Sequence, residues 1–319
     1  LTTLAIIGGG IAGRSLLYNL TSSPFSYEKV LLFDSDVFSP TCSLRSTAIV
    51  ARRGVTKGHS GLGDLLYDSF DGFREHVIKD APAGVFPIIH YTGALTKIKI
   101  TKQRYPEGEM SRNFGKEMYL SEEAGFLLEP QTYLDWLLSM SMQLLPLECM
   151  NEFVTQIQGG RLLTQSGKEF IADQVVFCCG GGTRFWRPDM GKVVQGAYLE
   201  FNQVDWSGPS FSLTLDGDNL IYHQKRVLVG SSSWEVDHLL SPLEELHGIY
   251  QRISAGVSFE LPPFALGEVR VGQREKARKR RPYCISEGVH TYIGGLYKNG
   301  FTLGLEMTRN VAHRRPSLA

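Results

Sequence analysis

Ten residues near the start, Leu4-Ala5-Ile6-Ile7-Gly8-Gly9-Gly10-Ile11-Ala12-Gly13, constrain this chain more than any other stretch. An apolar run ends in glycines spaced G-x-G-x-x-G, the pattern of a strand that turns tightly into a helix. Gly8 permits the turn, Gly10 lets the backbone approach a pyrophosphate, and Gly13 lets helix and strand pack closely. The helix that starts near Ile11 and Ala12 points free N–H groups and a positive dipole end at whatever occupies the turn. A second apolar run, Lys29-Val30-Leu31-Leu32-Phe33, ends in Asp34, where a carboxylate grips ribose hydroxyls. Strand, turn, helix and acid-ended strand agree, so the sequence predicts a dinucleotide site rather than an ordinary glycine turn.

The rest of the composition narrows the class. At 319 residues, two domains or one large composite are expected. Lys plus Arg and Asp plus Glu each number 33, so whole-molecule charge gives no argument for nucleic acid or a membrane surface. Five cysteines without a C-x-x-C pair argue against a disulfide framework and against a zinc site. No apolar run is long enough to span a bilayer, and no signal sequence precedes the first strand. A cytoplasmic setting without a membrane is the expectation.

Along the chain, Asp64 to Lys79 has helical periodicity, with Leu66, Phe70, Phe73 and Val77 on one face. A strand-like stretch covers Ile88 to Ile100. Pro130 opens a helix whose Tyr133, Trp136, Leu137, Met140 and Leu144 form a packing stripe. Short strands are predicted at Phe153 to Ile157 and Arg161 to Thr164. Ala172 to Cys179 is a buried parallel strand in pattern, and it delivers the chain to Gly180, Gly181 and Gly182. Asn219 to His223 and Val227 to Gly230 form a hairpin. Ser241-Pro242-Leu243-Glu244 is a capping box, Thr291 to Gly294 is the last strand, and a final helix begins near Thr302.

Three separated elements line up: Gly8 to Gly13 with Asp34, Ala172 to Gly182, and Gly294-Gly295-Leu296-Tyr297-Lys298-Asn299-Gly300-Phe301-Thr302-Leu303. Together they resemble the FAD-dependent oxidoreductase family that contains D-amino-acid, glycine and sarcosine oxidases. The resemblance implies an α/β protein in which an FAD-binding Rossmann-like domain interleaves with an α+β substrate domain built on a mainly antiparallel sheet. The expected division gives residues 1–80, 150–190 and 265–319 to the FAD domain, and 81–149 and 191–264 to the substrate domain. It implies FAD as cofactor and oxidation of an amine or amino-acid C–N bond by hydride transfer to flavin N5. An NAD-dependent dehydrogenase does not call for the terminal turn.

Site residues follow from the same resemblance. Gly8, Gly10, Ile11, Ala12, Gly13, Asp34, Ser35, Gly180 and Gly181 belong to the cofactor. So do Gly300, Phe301 and Thr302, whose amides and helix dipole stabilise charge on the flavin pyrimidine. The loop from Ser35 to Thr47 passes the cofactor with Ser43, Ser46 and Thr47, and Arg45 pairs with a phosphate or a substrate acid, or is a surface residue. Gly272-Gln273-Arg274 resembles the family's G-x-R, which makes Arg274 the candidate for a substrate carboxylate. Lys298 stands where the family has a more glycine-rich turn, and is read either as assisting oxygen or an anionic substrate, or as a solvated lysine. Tyr222 and Tyr91, with His223 and Trp234, are candidates to wall the substrate pocket.

One departure bears on the partner. Arg270 to Arg281 holds seven basic residues and one acid, with Lys279-Arg280-Arg281-Pro282 in place of the family's usual acid, glycine and proline pattern. Such density attracts an anion, a phosphorylated substrate or RNA, or forms a solvated loop. A flavoenzyme relative acts on a modified wobble uridine of tRNA, so the alternatives to a small amine or amino acid are tRNA and a companion protein.

Overall fold

The computed structural model describes residues 2–35, 41–52, 55, 57–94, 109–111, 113–206, 208–235, 242–258 and 260–313. Two sheets organise them. The first has six strands, in the order β18 (Tyr283–Glu287), β19 (His290–Gly294), β11 (Gln174–Phe177), β1 (Thr3–Ile7), β2 (Lys29–Phe33), β7 (Leu147–Met150). The run β19, β11, β1, β2, β7 is parallel, and β18 adds an antiparallel edge. The central strands of this sheet are buried on both faces, as their unbroken apolar sequence requires.

One face of that sheet packs on α1 (Ile11–Leu20) and the other carries a small antiparallel sheet of β8 (Val154–Gln158), β9 (Arg161–Thr164) and β10 (Glu169–Ile171). Helix α2 (Gly61–Asp80) starts three residues before the periodic stretch because Ser60 caps it, its hydroxyl accepting from the Gly63 N–H at 3.0 Å. Helix α3 (Pro130–Leu144) opens on proline and packs Tyr133, Leu134 and Leu137 against Phe70, Phe73 and Phe301.

The second sheet has ten strands. Its main path is β16 (Trp234–Glu235), β12 (Gly191–Phe201), β15 (Arg226–Gly230), β14 (Asp218–His223), β13 (Phe211–Leu215), β4 (Val85–Ala94), β6 (Met118–Leu128), β3 (Ile49–Val50). β5 (Glu109–Ser111) adds to β6, and β17 (Glu268–Ala277) adds to β12. All pairings but β13 with β4 are antiparallel. One face is covered by α4 (Pro242–Gly256), whose Leu246, Ile249 and Ile253 are fully buried on it. Part of the expected strand 88–100 and Ser241 of the capping box lie outside the described residues.

Sheet membership corrects the expected division of the chain. β17 pairs antiparallel with β12 from Gly191 to Glu200 and belongs to the substrate sheet, not to an FAD segment starting at 265. β3 also joins the substrate sheet, whereas β7 and α3 pack with the six-stranded layer.

Helix α5 (Gly300–Ala312) closes the fold. Its Gly300 and Gly304 lie against α1: a Cβ on Gly300 would stand 3.2 Å from Ile11 Cγ2, and one on Gly304 would stand 2.8 Å from Ser15 Oγ. Two glycines one turn apart thus bring the helices together, and the N-termini of α1 and α5 meet.

Candidate active site

The glycine turn has the geometry that its spacing predicts. Gly8 has φ +102°, and a Cβ there would stand 2.6 Å from Cys178 O at the end of β11. A Cβ on Gly13 would stand 2.0 Å from Gly8 O. Gly10 differs: among the described residues Ser43 Oγ, at 3.1 Å, is the only non-neighbouring atom within 4 Å of its Cβ position. The first and third glycines are therefore fixed by close packing against backbone, and the second meets only the Ser43 hydroxyl among the described residues.

The turn is braced from three sides. Asp34 accepts a hydrogen bond from the Gly9 N–H at 2.9 Å, and its carboxylate lies where a Gly9 side chain would go. Arg14 donates from Nε to Gly9 O at 2.8 Å and pairs with Asp135 on α3 at 2.8 Å. Ser43 accepts from the Ile11 N–H at 3.0 Å, the first amide of α1. The sequence reading assigned nothing to Gly9 or Arg14; an arginine four residues beyond Gly10 is within one turn of the loop carbonyls, which was the available signal.

The N-cap residues of α1 and α5, Gly10 and Asn299, make no side-chain cap hydrogen bond, in contrast to Ser60 of α2. Phe301 and Thr302 are buried, Phe301 against Tyr133, so what this segment offers a ligand is backbone. Gly180 begins a 3-10 turn at φ +53° with nothing among the described residues within 4 Å of its Cβ position, and Gly181 lies over Gln273. Ser35 is half-buried beside Asp34. Ser46 accepts from the Ala48 N–H at 3.1 Å, which leaves Arg45, Ser46 and Thr47 along a cleft.

Arg274 and Lys298 converge. Arg274 is 9% exposed, donates to Ser232 O at 3.4 Å and lies across Gly196, whose Cβ position is 2.3 Å from the guanidinium carbon. Among the described residues no carboxylate pairs with it. Cys42 faces it: burial pushes the thiol pKa up, and the guanidinium pulls it back. Lys298 Nζ donates to the adjacent carbonyl, Ser231 O, at 3.3 Å. The turn that carries Lys298 is held by Tyr297, hydrogen-bonded to Ser233, and by Glu275.

Glu275, which sequence reasoning missed, points to the opposite face of β17 from Arg274. It accepts from the Gly295 N–H at 2.9 Å and from the Tyr283 hydroxyl. Burial raises its pKa, and those two bonds act against the rise.

Tyr222 and Tyr91 are not brought to the site. Both face α4: Tyr222 donates to Trp206 O at 3.0 Å, and Tyr91 packs edge-on against Phe114 at 5.2 Å. Side chains alternate along a strand, so their neighbours His223 and His90 take the other face. Trp234 is likewise in the α4 core. A cleft of about 430 Å³ that Arg274 and Lys298 do not line is walled by Tyr198, Glu200, Ile221, His223, Arg226, Leu228 and Arg270, facing Leu44 to Thr47 and the start of α3.

No helix among the described residues is long and apolar enough to cross a membrane, and no group of three or more His, Cys, Asp or Glu there is placed to hold a metal.

Comparison with known proteins gives three findings. The family model described as DAO, FAD dependent oxidoreductase, matches residues 3–314. No curated protein matches the sequence. Among solved structures, glycine oxidase from Geobacillus kaustophilus superposes with TM-score 0.73 at 17% identity over 98% of this chain and 94% of that one. Iminodiacetate oxidase from Chelativorans sp. BNC1 gives 0.73 at 16% over 97% and 94%. Dithionite-reduced L-alpha-glycerophosphate oxidase from Mycoplasma pneumoniae, with FAD bound, gives 0.76 at 14% over 99% and 97%.

Proposed function

Because this chain belongs to the DAO family of FAD-dependent oxidoreductases, we propose that it oxidises the C–N bond of an amine or amino acid whose carboxylate is held by Arg274. The observation that carries the proposal is the guanidinium itself. A cation 9% exposed, with no carboxylate partner among the described residues, bears a desolvation cost that an incoming anion offsets. Glycine oxidase and iminodiacetate oxidase among the similar structures act, by name, on substrates of that kind.

The residues present fit FAD. The side-chain-free Gly10 and the N-terminal dipole of α1 suit a pyrophosphate, Asp34 suits a ribose, and the amides of Gly300, Phe301 and Thr302 suit the electron-rich edge of a flavin. Bound FAD supplies a two-electron acceptor for a substrate hydride. The protein does the rest. Arg274 binds the carboxylate through two N–H donors and so fixes which C–H faces the acceptor. Lys298, tethered at Ser231 O, adds positive charge beside it. The substrate carbon gives up a hydride and its nitrogen a proton, and water then splits the imine to a carbonyl compound and an amine. An amine that binds neutral needs no dedicated base.

Anaerobic mixing of the purified holoenzyme with a panel of amines and amino acids tests the reading. Bleaching of the visible flavin band by one of them is the expected result. A band that stays oxidised with every member of the panel would sink it.

A second reading has one observation behind it. Arg278, Lys279 and Arg280 form an exposed turn directly after β17, with no carboxylate hydrogen-bonded to any of them among the described residues. An RNA-borne amine would use that turn, and its binding would weaken steeply with salt. Adding tRNA to the same panel, at two salt concentrations, separates this reading from the first.

A further inference from the structure

The cleft in front of Arg45 carries polar groups that the chemistry at Arg274 does not use. Arg45 lines it half-buried, and no described residue gives its guanidinium a carboxylate. Tyr198 is 6% exposed, and its hydroxyl has no hydrogen-bond partner among the described residues. His223 is equally buried; its Nδ1 meets Ser210 Oγ at 2.9 Å, and its Nε2 has no partner. Three groups able to donate a hydrogen bond therefore border one cleft without an acceptor among the described residues.

The remaining charges of the cleft do not change the sign. Arg270 is satisfied by Glu200 at 2.9 Å and by Glu268. Arg226 lies between Glu129 at 3.5 Å and Glu200 at 3.6 Å. Three guanidiniums thus face two carboxylates along the lining, and the surplus charge rests on Arg45. The N-terminus of α3 opens at Pro130 on the same wall without a side-chain cap, and its dipole has the same sign.

From this we propose that the cleft is an anion subsite, in which Arg45, with Tyr198 and His223, holds a carboxylate or phosphate at the far end of the substrate. The anion site stands on the cleft alone; its assignment to the substrate rests on the amine-oxidation reading above. The two anionic ends are separate. In the pairing of β12 with β17, Tyr198 is opposite Arg270 and Val194 is opposite Arg274. Four residues of strand put these positions roughly 13 Å apart. Gly272 lies between them, with Arg45 Cβ 3.2 Å from its Cβ position. A substrate that reaches both ends is elongated: an amine or amino acid with a second anionic group beyond its oxidised carbon.

Binding and turnover test the two parts independently. Inorganic phosphate is titrated into the FAD-loaded enzyme by calorimetry, with no turnover involved. Arg45→Gln is expected to weaken phosphate binding about tenfold or more, the loss of a charge-assisted contact. Arg274→Ala is expected to leave it within about twofold. Absence of phosphate binding to the wild type, equal binding in wild type and Arg45→Gln, or an equal loss in Arg274→Ala would overturn the subsite. So would loss of FAD from Arg45→Gln, which would give that guanidinium to the cofactor. For turnover, N-alkylglycines are compared with N-(ω-carboxyalkyl)glycines and phosphorylated amines of matched length. Preference for one anionic series, lost in Arg45→Gln, identifies the group as carboxylate or phosphate. Flavin that no compound reduces, with phosphate bound as expected, refutes the reaction and leaves the subsite standing.

Discussion

Gly13 and Gly10 belong to one motif but fail for different reasons. A methyl at Gly13 would overlap a backbone carbonyl 2.0 Å away, which only a shift of α1 against β1 can relieve. Gly13→Ala is expected to cost about 2–4 kcal/mol, in the range of overpacked or strained core positions, and to lower the melting temperature even without cofactor. Gly10 meets only the Ser43 hydroxyl among the described residues, a side-chain end that can turn aside, so Gly10→Val is expected to leave the apoprotein melt nearly unchanged and to yield colourless protein. Yellow Gly10→Val protein, or equal destabilisation of the two apoproteins, would contradict this division. At Arg274 the measurement is a comparison of substrates. Arg274→Ala should raise KM for a carboxylate substrate at least about tenfold and change it little for the decarboxylated analogue. Equal effects on both would remove Arg274 from substrate binding.

Three helices of the cofactor layer are tied by one buried network, and it makes a pH prediction. Asp80 of α2 accepts from the Tyr18 hydroxyl of α1 at 2.6 Å and meets His76 Nδ1 at 3.0 Å, and the Tyr133 hydroxyl of α3 meets His76 Nε2 at 3.3 Å. Burial lowers the His76 pKa below 6.5, outweighing the pull of Asp80. At Asp80 burial acts to raise the pKa, but the bonds from Tyr18 and His76 outweigh it and lower it below 3.8. Both folded-state values are depressed. Below pH 6.5 the unfolded chain binds a proton at His76 that the folded chain refuses, so stability is lost as pH falls from there. The slope from this one group is at most about 1.4 kcal/mol per pH unit. Urea midpoints measured from pH 8 to pH 5 should fall with acid in the wild type and flatten in His76→Gln; an unaltered slope in that variant would place the acid sensitivity elsewhere. The elements themselves were legible where periodicity and punctuation agreed. The strand, turn and helix around Gly8, the helix at Pro130 and the hairpin at 219–230 all have local signals. The facing of Tyr222 was not, because β14 is buried on both sides and gives no alternation to read, and an error of one residue exchanges cleft for core.

At the scale of the whole molecule, the sequence held the local half of each site element and none of the distances between them. Nothing in Gly300-x-x-x-Gly304 says that its partner is Ile11 and Ser15, nearly three hundred positions earlier; that follows from α5 packing on α1. Likewise Arg274 was readable as a candidate from its G-x-R, but its strand was assigned to the wrong sheet, because edge pairing with β12 is non-local. The residues proposed to hold the cofactor come from the first strand-turn-helix, the loop at 41–48, the turn after β11 and the last helix, and they close only in the folded chain. A ligand that bridges such segments binds the native state and not the unfolded one, so it stabilises by mass action. Free FAD at a hundredfold excess over its Kd is expected to add about 2.7 kcal/mol to the apoprotein. For a chain of this size that corresponds to a rise in Tm of roughly 5 °C. The rise should grow with the logarithm of FAD concentration and be absent in Gly10→Val, whose apoprotein should melt with the wild-type apoprotein. A Tm that does not move with FAD while the protein is yellow would mean that the cofactor also binds the unfolded chain or is covalently held. A Gly10→Val protein that FAD still stabilises would mean that the pyrophosphate lies away from the α1 terminus.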